Sequence, residues 1–210
     1  ALEFFHNFTL LHDDIMDNAP IRRGKPSVFR KWNQDIAILS GDAMLVYAYH
    51  LLEKTPAKLL PKIFEIFNYT AMQVFEGQQY DMDFEDRDNV TIEEYIRMIE
   101  LKTAVLMAGA AHIGALIGGA DDDSCRKLYR FANELGLAFQ LQDDLLDSYG
   151  TEEQLGKAIG GDILEGKKTF LMISALEHLN EEDRHELQSL HLSTALIPQQ
   201  KIERARQLFD

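Results

Sequence analysis

The spacing of the apolar residues constrains the fold of this chain more than any other feature of its sequence. Across nearly the whole length, apolar residues recur at intervals of three and four, the period of an α-helix, and not at intervals of two, the period of a strand. Nothing in the sequence predicts a strand. Helices of about twenty residues joined by short loops are typical of a bundle, so we expect an all-α fold.

The breaks in this pattern predict where the helices begin and end. A first helix ends near Asp17, in a loop that contains Pro20, and residues 91–94 have the sequence of a capping box. A loop rich in Gly and Lys is expected over residues 151–167, with further helices from Lys168 onward. The long helices are expected over residues 1–17, 35–53, 61–84, 91–118 and 122–149.

The organisation of the chain indicates one domain. No linker rich in Gly, Ser or Pro divides it, so residues 1–210 are expected to form a single helical domain. The first residues already lie in a helical pattern without a cap, and the chain ends at Asp210 inside another periodic run. We therefore expect this domain to lack its N-terminal and C-terminal parts.

Charge and cysteine content exclude several classes of function. A net charge of −14 argues against a nucleic-acid surface, which needs a basic stripe. The single cysteine, Cys125, excludes an intrachain disulfide framework and suits a reducing compartment, so we expect a cytoplasmic location. Because the sequence has no run of about eighteen apolar residues, we also expect no membrane span.

Two acidic triplets share the pattern polar-Asp-Asp-apolar-apolar-Asp. The triplets are Asp13, Asp14 and Asp17, and Asp143, Asp144 and Asp147. In a helix the first and last aspartates of each triplet lie on one face. Carboxylates crowded among apolar residues repel one another and are costly to desolvate. One triplet alone is equally compatible with a solvated acidic face, but the repeat favours a bound cation.

The side-chain types predict which cation binds. Oxygen ligands without Cys and without a His-x-x-x-His spacing favour Mg²⁺, or Mn²⁺, over zinc. Mg²⁺ keeps several waters and joins one or two carboxylates to phosphate oxygens. Two facing triplets are therefore expected to hold several ions around one diphosphate, which leaves more readily when its developing charge is neutralised.

Basic residues follow both triplets. Arg22 and Arg23 lie a few residues after the first, where forked guanidinium groups can reach phosphate oxygens. Lys157, Lys167 and Lys168 lie shortly after the second. Each alone is compatible with an ordinary surface charge. Next to both acidic motifs in an acidic protein, they indicate a shared anionic ligand.

With these motifs the whole chain resembles the trans-isoprenyl diphosphate synthases, the polyprenyl synthetase family that includes farnesyl and geranylgeranyl diphosphate synthases. Each matching segment alone is weakly specific, whereas their order and spacing together are highly specific. The segments are residues 12–17 (HDDIMD), 22–24 (RRG), 39–42 (LSGD), 77–81 (GQQYD), 102–103 (KT), 139–144 (FQLQDD), 156–157 (GK) and 167–169 (KKT). The fold that this resemblance implies is a helical bundle of the isoprenoid synthase type around a central cavity.

The activity that the resemblance implies is a head-to-tail condensation of isopentenyl diphosphate with an allylic diphosphate, giving a short-chain C15–C20 product. Mg²⁺ bridging both triplets binds the allylic diphosphate, whose ionisation gives an allylic cation. The double bond of isopentenyl diphosphate attacks this cation, and loss of a proton to the released diphosphate completes the extension. A homodimer is also implied, through helices that include residues 90–118.

The resemblance further implies roles for individual residues. All six aspartates would bind metal. The implied catalytic residues are Asp13, Asp14, Asp17, Lys102, Thr103, Gln140, Asp143 and Asp144. The implied substrate-binding residues are Arg22, Arg23, Lys102, Phe139, Gln140, Lys157 and Lys167. Thr103 and Gln140 would stabilise the allylic cation. Gln78 and Asp81 would contact the residues that bind the metal and the substrate, without binding either themselves. Taken alone, Phe139 is more often a core residue, and the Thr103 hydroxyl can simply bond a carbonyl one turn back.

Product length is expected to depend on residues just before the first triplet. Phe8 and Thr9 match positions at which bulky side chains form the floor of the product cavity in this family. Helix geometry places Phe8 about 140° round from Asp13, so the role of Phe8 rests on the resemblance.

Four alternatives remain open at this point. A longer-chain polyprenyl diphosphate synthase differs only in the cavity floor. A terpene cyclase or head-to-head synthase shares the ionisation step but not Arg22 and Arg23 together with Lys157 and Lys167. A non-catalytic synthase subunit typically loses an acidic motif, and both are intact here. An acidic metal buffer would leave the basic residues unexplained.

Overall fold

The computed structural model describes residues 1–151 and 159–210. Over these residues the molecule is a bundle of α-helices with one two-stranded hairpin, which confirms the all-α prediction. The helices are α1 (Leu2–Met16), α2 (Val28–Lys31), α3 (Gln34–Leu52), α4 (Leu60–Glu85), α5 (Ile92–Ile99), α6 (Val105–Ile117), α7 (Asp122–Tyr149), α8 (Gly161–Glu165), α9 (Phe170–His178), α10 (Glu181–Ser189) and α11 (Pro198–Phe209). A π-helical turn (Glu100–Ala104) joins α5 to α6, and a 3₁₀ turn (Leu190–Leu192) follows α10.

Side-chain caps start several helices close to where the sequence predicts. Asn33 before α3 and Asp121 before α7 each accept a hydrogen bond from the backbone N–H three residues later, at 2.8 Å and 2.7 Å. At α5, Thr91 and Glu94 form the expected capping box. Each cap satisfies a backbone N–H that has no partner within the helix, so these boundaries are encoded locally.

Clusters of buried side chains hold the helices around a common cavity. The first cluster joins α1, α3, α4 and α6, and in it Phe5 packs edge-on against Phe67 with ring centroids 5.3 Å apart. A second cluster around Tyr95 and Ile173 joins α5 to α9, and a third, which includes Leu187, joins α8 to the C-terminal helices. Burial of such side chains stabilises a fold by roughly 1.5–3 kcal/mol each.

The prediction that the chain has no strand is wrong between α1 and α2. Here β1 (Ile21–Arg22) pairs antiparallel with β2 (Lys25–Pro26) across Arg23 and Gly24, whose φ values are +52° and +72°. Two consecutive left-handed residues are typical of a tight hairpin turn, and Gly24 adopts this conformation without steric cost. Strands of two residues are too short to produce a period of two in the sequence.

Two further predicted segments differ from the structure. The helix expected over residues 91–118 is interrupted by the π-helical turn Glu100–Ala104, which separates α5 from α6. The loop expected over residues 151–167 contains the short helix α8, which lies between Gly160 and Gly166, both with positive φ. Helical periodicity does not register a single inserted residue or a helix of about one turn, so neither feature could be read from spacing.

The expectation of no membrane span stays a prediction. Within the part of the chain that the structure describes, two helical segments are long and apolar enough to cross a membrane, Gln34–Leu52 and Ile92–Ile117, with mean hydropathies of 1.2 and 1.3. Core helices of soluble proteins also meet these criteria. The second segment includes Lys102, which forms ion pairs inside the bundle.

Candidate active site

A cavity of about 1140 Å³ lies between α1, α4, α7 and the π-helical turn. Asp13 and Asp17 line it from α1, and they are one helical turn apart as the sequence predicts. The second triplet lines the same cavity from α7 with Asp143, Asp144 and Asp147. The structure therefore brings both predicted acidic motifs to one site.

The middle aspartate of the first triplet turns away from this cavity. Asp14 is only 3% exposed and does not line the cavity. The hairpin places Arg22 against it, with Nε 2.8 Å and Nη2 2.6 Å from the same Asp14 oxygen, while Nη2 also lies 3.3 Å from Asp13. Burial raises the pKa of Asp14, and the hydrogen bond from Arg22 offsets part of this rise. Arg22 is thus fixed beside the first triplet.

Asp17 lies at the end of α1, opposite Lys167. Their side chains approach to 3.5 Å. Burial and the nearby charge of Asp13 raise the pKa of Asp17. Burial also opposes the charge on Lys167, but the carboxylates around it, Asp17 foremost, raise its pKa above the usual value. Lys167 therefore stays a cation, and the segment before α9 supplies a positive charge to the first triplet.

The π-helical turn supplies a second lysine. Lys102 Nζ lies 2.6 Å from Asp81 on α4 and 3.2 Å from Asp13 on α1. Burial lowers the pKa of Lys102, but the fields of Asp13 and Asp81 more than compensate and raise it. The predicted supporting role of Asp81 is consistent with this contact, since Asp81 holds the lysine that faces the first triplet.

A chain of hydrogen bonds connects the π-helical turn to the second triplet. Thr103 Oγ1 donates to Gln140 Oε1 at 3.0 Å, and Gln140 Nε2 donates to Asp144 Oδ1 at 3.0 Å. The other Asp144 oxygen accepts a short hydrogen bond from the hydroxyl of Tyr95 on α5. Tyr95 was not expected from the sequence. The sequence feature that could have indicated it is a tyrosine on the apolar face of α5, because a buried hydroxyl needs a hydrogen-bond partner.

The last aspartate of the second triplet is also buried. Asp147 is 1% exposed, and its Oδ2 accepts a hydrogen bond of 3.1 Å from the backbone N–H of Asp162 in α8. Asp162 lines the cavity as well and was not assigned a role from the sequence. In the sequence, only the neighbouring lysines indicated that the segment around Asp162 belongs to the site. α8 thus adds a carboxylate to the wall formed by α7.

The remaining predicted residues have different surroundings. Arg23 and Phe139 line the cavity, and Phe139 is 56% exposed. Gln78 also lines it and donates to the sulfur of Met16 at 3.6 Å. Lys157, the other expected phosphate ligand, lies outside the described residues.

The cavity continues past the first triplet between apolar side chains. Phe8 and Thr9 line this extension from α1, although the Thr9 hydroxyl donates to a backbone carbonyl of its own helix at 2.8 Å. The Phe8 ring is almost fully buried, with its centroid 4.7 Å from that of His12 and 6.0 Å from that of Phe75 on α4. Phe75 was not expected from the sequence, because it comes from a helix far along the chain.

The donor set fits Mg²⁺ better than a metal held by protein ligands alone. Among the described residues, no three His, Cys, Asp or Glu side chains converge closely enough to hold a metal ion by themselves. The carboxylates that line the cavity nevertheless come from two facing helices and carry the hard oxygen atoms that Mg²⁺ prefers. Mg²⁺ tolerates such a sparse set because it keeps waters and accepts phosphate oxygens.

Comparison with known proteins agrees with this geometry. The family model described as Polyprenyl synthetase matches residues 1–208. The chain is 47% identical over 180 residues to a geranylgeranyl diphosphate synthase of Methanosarcina mazei, covering 84% of this chain and 55% of that protein. It is 43% identical to a geranylgeranyl diphosphate synthase of Saccharolobus solfataricus, covering 99% of this chain and 64% of that protein.

Solved structures give the same result. The geranylgeranyl pyrophosphate synthetase from Pyrococcus horikoshii Ot3 superimposes with a TM-score of 0.91 at 34% identity, covering 99% of this chain and 63% of that one. The chain thus spans between 55% and 64% of the length of these relatives. The matches extend over nearly the whole of its own length, including both acidic triplets. The chain belongs to the polyprenyl synthetase family.

Proposed function

We propose that this chain carries the allylic-diphosphate site of a prenyltransferase that condenses isopentenyl diphosphate head-to-tail with an allylic diphosphate. One observation carries the proposal: two acidic triplets on α1 and α7 face one cavity, with cations beside the first and an apolar extension behind it. A diphosphate headgroup and a prenyl tail need these two environments side by side. Relatives named geranylgeranyl diphosphate synthase support the same activity.

The diphosphate is the part of the substrate that the charged end of the cavity would bind. Arg22, Lys102 and Lys167 already lie within 3.5 Å of the first triplet, so each can reach an anion placed among the carboxylates. Asp13, Asp17 and Asp143 would hold Mg²⁺, with Asp147 and Asp162 beside them. When bound, the metal supplies positive charge that makes diphosphate a better leaving group. Asp14 and Asp144 would act mainly by orienting Arg22 and Gln140.

The reaction then proceeds between the two ends of the cavity. The C–O bond of the allylic diphosphate breaks and its electron pair leaves with the diphosphate. The oxygen dipoles of Thr103 and Gln140 stabilise the allylic cation, which the double bond of isopentenyl diphosphate attacks to form a C–C bond. The released diphosphate accepts the proton whose loss restores a double bond. Arg23 and Phe139 would contact isopentenyl diphosphate.

Product length is proposed to depend on the apolar extension. The sequence predicts C15–C20, and the relatives named geranylgeranyl and geranylfarnesyl diphosphate synthase support a short chain of C20–C25. C20 is common to both ranges and is the product that we propose. Phe8, with Thr9 beside it, would form the floor.

We propose one helical domain that pairs as a homodimer in the cytoplasm. Large apolar side chains exposed on α4 and α7, on either side of α6, support the homodimer. These are Tyr69, Met72, Phe131 and Leu135, which are 66%, 65%, 66% and 48% exposed. The interface would therefore involve the helices that flank residues 90–118 as well as those residues.

The function is tested by product formation and its dependence on Asp143. The full-length protein is incubated with Mg²⁺, labelled isopentenyl diphosphate and allylic primers of increasing length, and the products are sized. Head-to-tail extension is expected, and chelation should abolish it. Asp143→Ala should lower turnover by more than about 100-fold, beyond the range for residues that only support a metal ligand. Asp123→Ala is the control, because this exposed aspartate of α7 pairs with Lys127 outside the cavity.

The other outcomes identify the alternatives. A cyclised hydrocarbon would indicate a terpene cyclase, and products much longer than C25 a long-chain synthase. No extension from any primer, with Mg²⁺-dependent binding of inorganic diphosphate also absent in calorimetry, would refute the proposal.

A further inference from the structure

The π-helical turn Glu100–Ala104 interrupts an otherwise continuous helical segment, Ile92–Ile117. The π-helix is rare, and it occurs mostly as single turns inside α-helices, frequently at functional sites. This turn is tightly packed, since Leu101 and Ala104 are both 0% exposed. The side chains and backbone packed against the turn are therefore expected to account for its presence.

The turn directs two consecutive side chains to opposite walls of the cavity. Lys102 contacts Asp81 on α4, and the next residue, Thr103, contacts Gln140 on α7. Both contacts depend on where the backbone of the turn lies between α4 and α7. A backbone shift of about 1 Å towards one helix would lengthen the contact with the other to about 3.6 Å or more, which is beyond ordinary hydrogen-bond range.

On the α4 side, a glycine lies directly against the turn. A Cβ atom placed on Gly77 would lie 2.2 Å from the backbone nitrogen of Lys102 and 2.6 Å from the carbonyl carbon of Leu101. These are backbone atoms, so no side-chain rotation could relieve the contact. Asp81, the partner of Lys102, lies four residues after Gly77 and therefore on the same face of α4.

On the α7 side, the same arrangement occurs. A Cβ atom placed on Gly136 would lie 2.6 Å from Cα and 2.8 Å from Cβ of Ala104. Gln140, the partner of Thr103, lies four residues after Gly136 and on the same face of α7. Each helix thus presents a glycine to the backbone of the turn and, one helical turn later, the polar partner of a side chain from that turn.

We infer that Gly77 and Gly136 are positioning residues that hold the π-helical turn between α4 and α7, so that Lys102 and Thr103 face the diphosphate and the allylic cation. The inference rests on the proposed function for what these two side chains do. The packing of the two glycines against the turn does not depend on the proposed function. The glycines act by allowing close approach, since neither has the positive φ that would require glycine for its own conformation.

Two glycines of α6 provide matched controls. A Cβ atom on Gly109 would lie 2.5 Å from the Thr70 hydroxyl, away from the turn, so Gly109→Ala tests crowding alone. A Cβ atom on Gly114 would have no neighbour within 4 Å, so Gly114→Ala tests only the helix propensity of alanine.

The experiment compares Gly77→Ala and Gly136→Ala with these controls by two measurements. The first is amide hydrogen exchange of residues 100–104 without ligand, which should accelerate in Gly77→Ala and Gly136→Ala but not in either control. The second is calorimetric binding of inorganic diphosphate with Mg²⁺, which should weaken by about tenfold or more in the same two variants. Lys102→Ala is combined with Gly77→Ala, and the double variant should bind no more weakly than Lys102→Ala alone.

The results separate the inference from the proposed function. If the unmodified protein binds no diphosphate, the proposed function fails, while exchange of residues 100–104 still decides the inference. Additive losses in the double variant, or equal exchange in Gly77→Ala and Gly109→Ala, would overturn the inference. It would also be overturned if Gly77→Ala and Gly136→Ala both failed to fold, because the glycines would then be general packing residues.

Discussion

Tyr95 is 2% exposed, and its buried hydroxyl needs an acceptor inside the protein. It donates to Asp144, and burial followed by the charge of Asp144 raises the pKa of Tyr95. The phenol therefore remains protonated at neutral pH and acts only as a donor to the carboxylate. Sequence patterns place Asp144 in its motif but do not show which side chain from another helix fixes its orientation.

Tyr95→Phe is expected to lower the free energy of unfolding by about 1–3 kcal/mol, because a buried carboxylate oxygen loses a donor. Tyr149→Phe is the control, since that hydroxyl bonds Asp210 at 3.0 Å at an exposed position. Urea denaturation of both variants measures the difference. An equally small loss in both would show that the Tyr95 hydroxyl does not support Asp144.

Phe8→Ala tests the floor of the product cavity. Removing the ring should open the extension below Asp13 and lengthen the main product by at least one isoprene unit. Phe4→Ala is the control, because Phe4 packs against Tyr47 and does not line the cavity. Chromatographic sizing of the products from a fixed primer gives the answer. Unchanged product length in Phe8→Ala would assign the floor to other residues, Phe75 first among them.

At the scale of secondary-structure elements, the sequence predicts what repeats over several turns. The bounds of α3, α4 and α7 agree with the expected ranges to within one or two residues, because Asn33, Pro61 and Asp121 lie at or near their starts. The hairpin and the π-helical turn are different. They depend on two residues with positive φ and on glycines from other helices, which spacing along the chain cannot reveal.

The candidate site divides in the same way. Both acidic triplets could be predicted because each is a short run of residues, one in α7 and one that ends at the C-cap of α1. The contacts of Lys102 with Asp81 and of Thr103 with Gln140 join residues 21 and 37 positions apart. Such pairs are set by tertiary packing, and only the resemblance to a known family indicated that these residues belong together.

The 3₁₀ turn Leu190–Leu192 is expected to make stability depend on pH through His191. Burial lowers the pKa of His191, and the charge of Lys168 lowers it further. Between this lowered value and about 6.5, the unfolded chain binds more protons than the folded one. The contribution of neutral His191 to the free energy of unfolding is therefore fully present above about pH 6.5. It is lost as the pH falls from about 6.5 through the lowered pKa of the folded state.

His191→Gln should remove this part of the pH dependence. Urea midpoints are compared at pH 7.5 and pH 5.5, and the fall between them should be smaller in the variant than in the unmodified protein. Carboxylates that titrate in both proteins contribute equally to both falls. The difference between the two falls in urea midpoint therefore reports on His191. Identical falls would contradict the role of His191.

At the scale of the whole molecule, the exposed apolar side chains of α4 and α7 predict a dimer. A stable interface buries roughly 1,200–2,000 Å² in total. Replacing Met72 and Phe131 by Asp should dissociate it, because charges would be buried without partners. Sedimentation equilibrium measures the mass, and Leu192→Asp, at a position 72% exposed in the 3₁₀ turn, is the control. A monomeric unmodified chain would refute the interface.

The ion pairs of the first triplet have a consequence for how ligands enter. Arg22, Lys102 and Lys167 lie against Asp13, Asp14 and Asp17, so each carboxylate of the first triplet already has a cation beside it. If a diphosphate draws these cations away, the carboxylates lose their partners and attract a divalent ion more strongly. If a divalent ion binds the carboxylates first, the cations become available to a diphosphate. Each ligand should therefore raise the affinity for the other by the same factor, as reciprocal linkage requires.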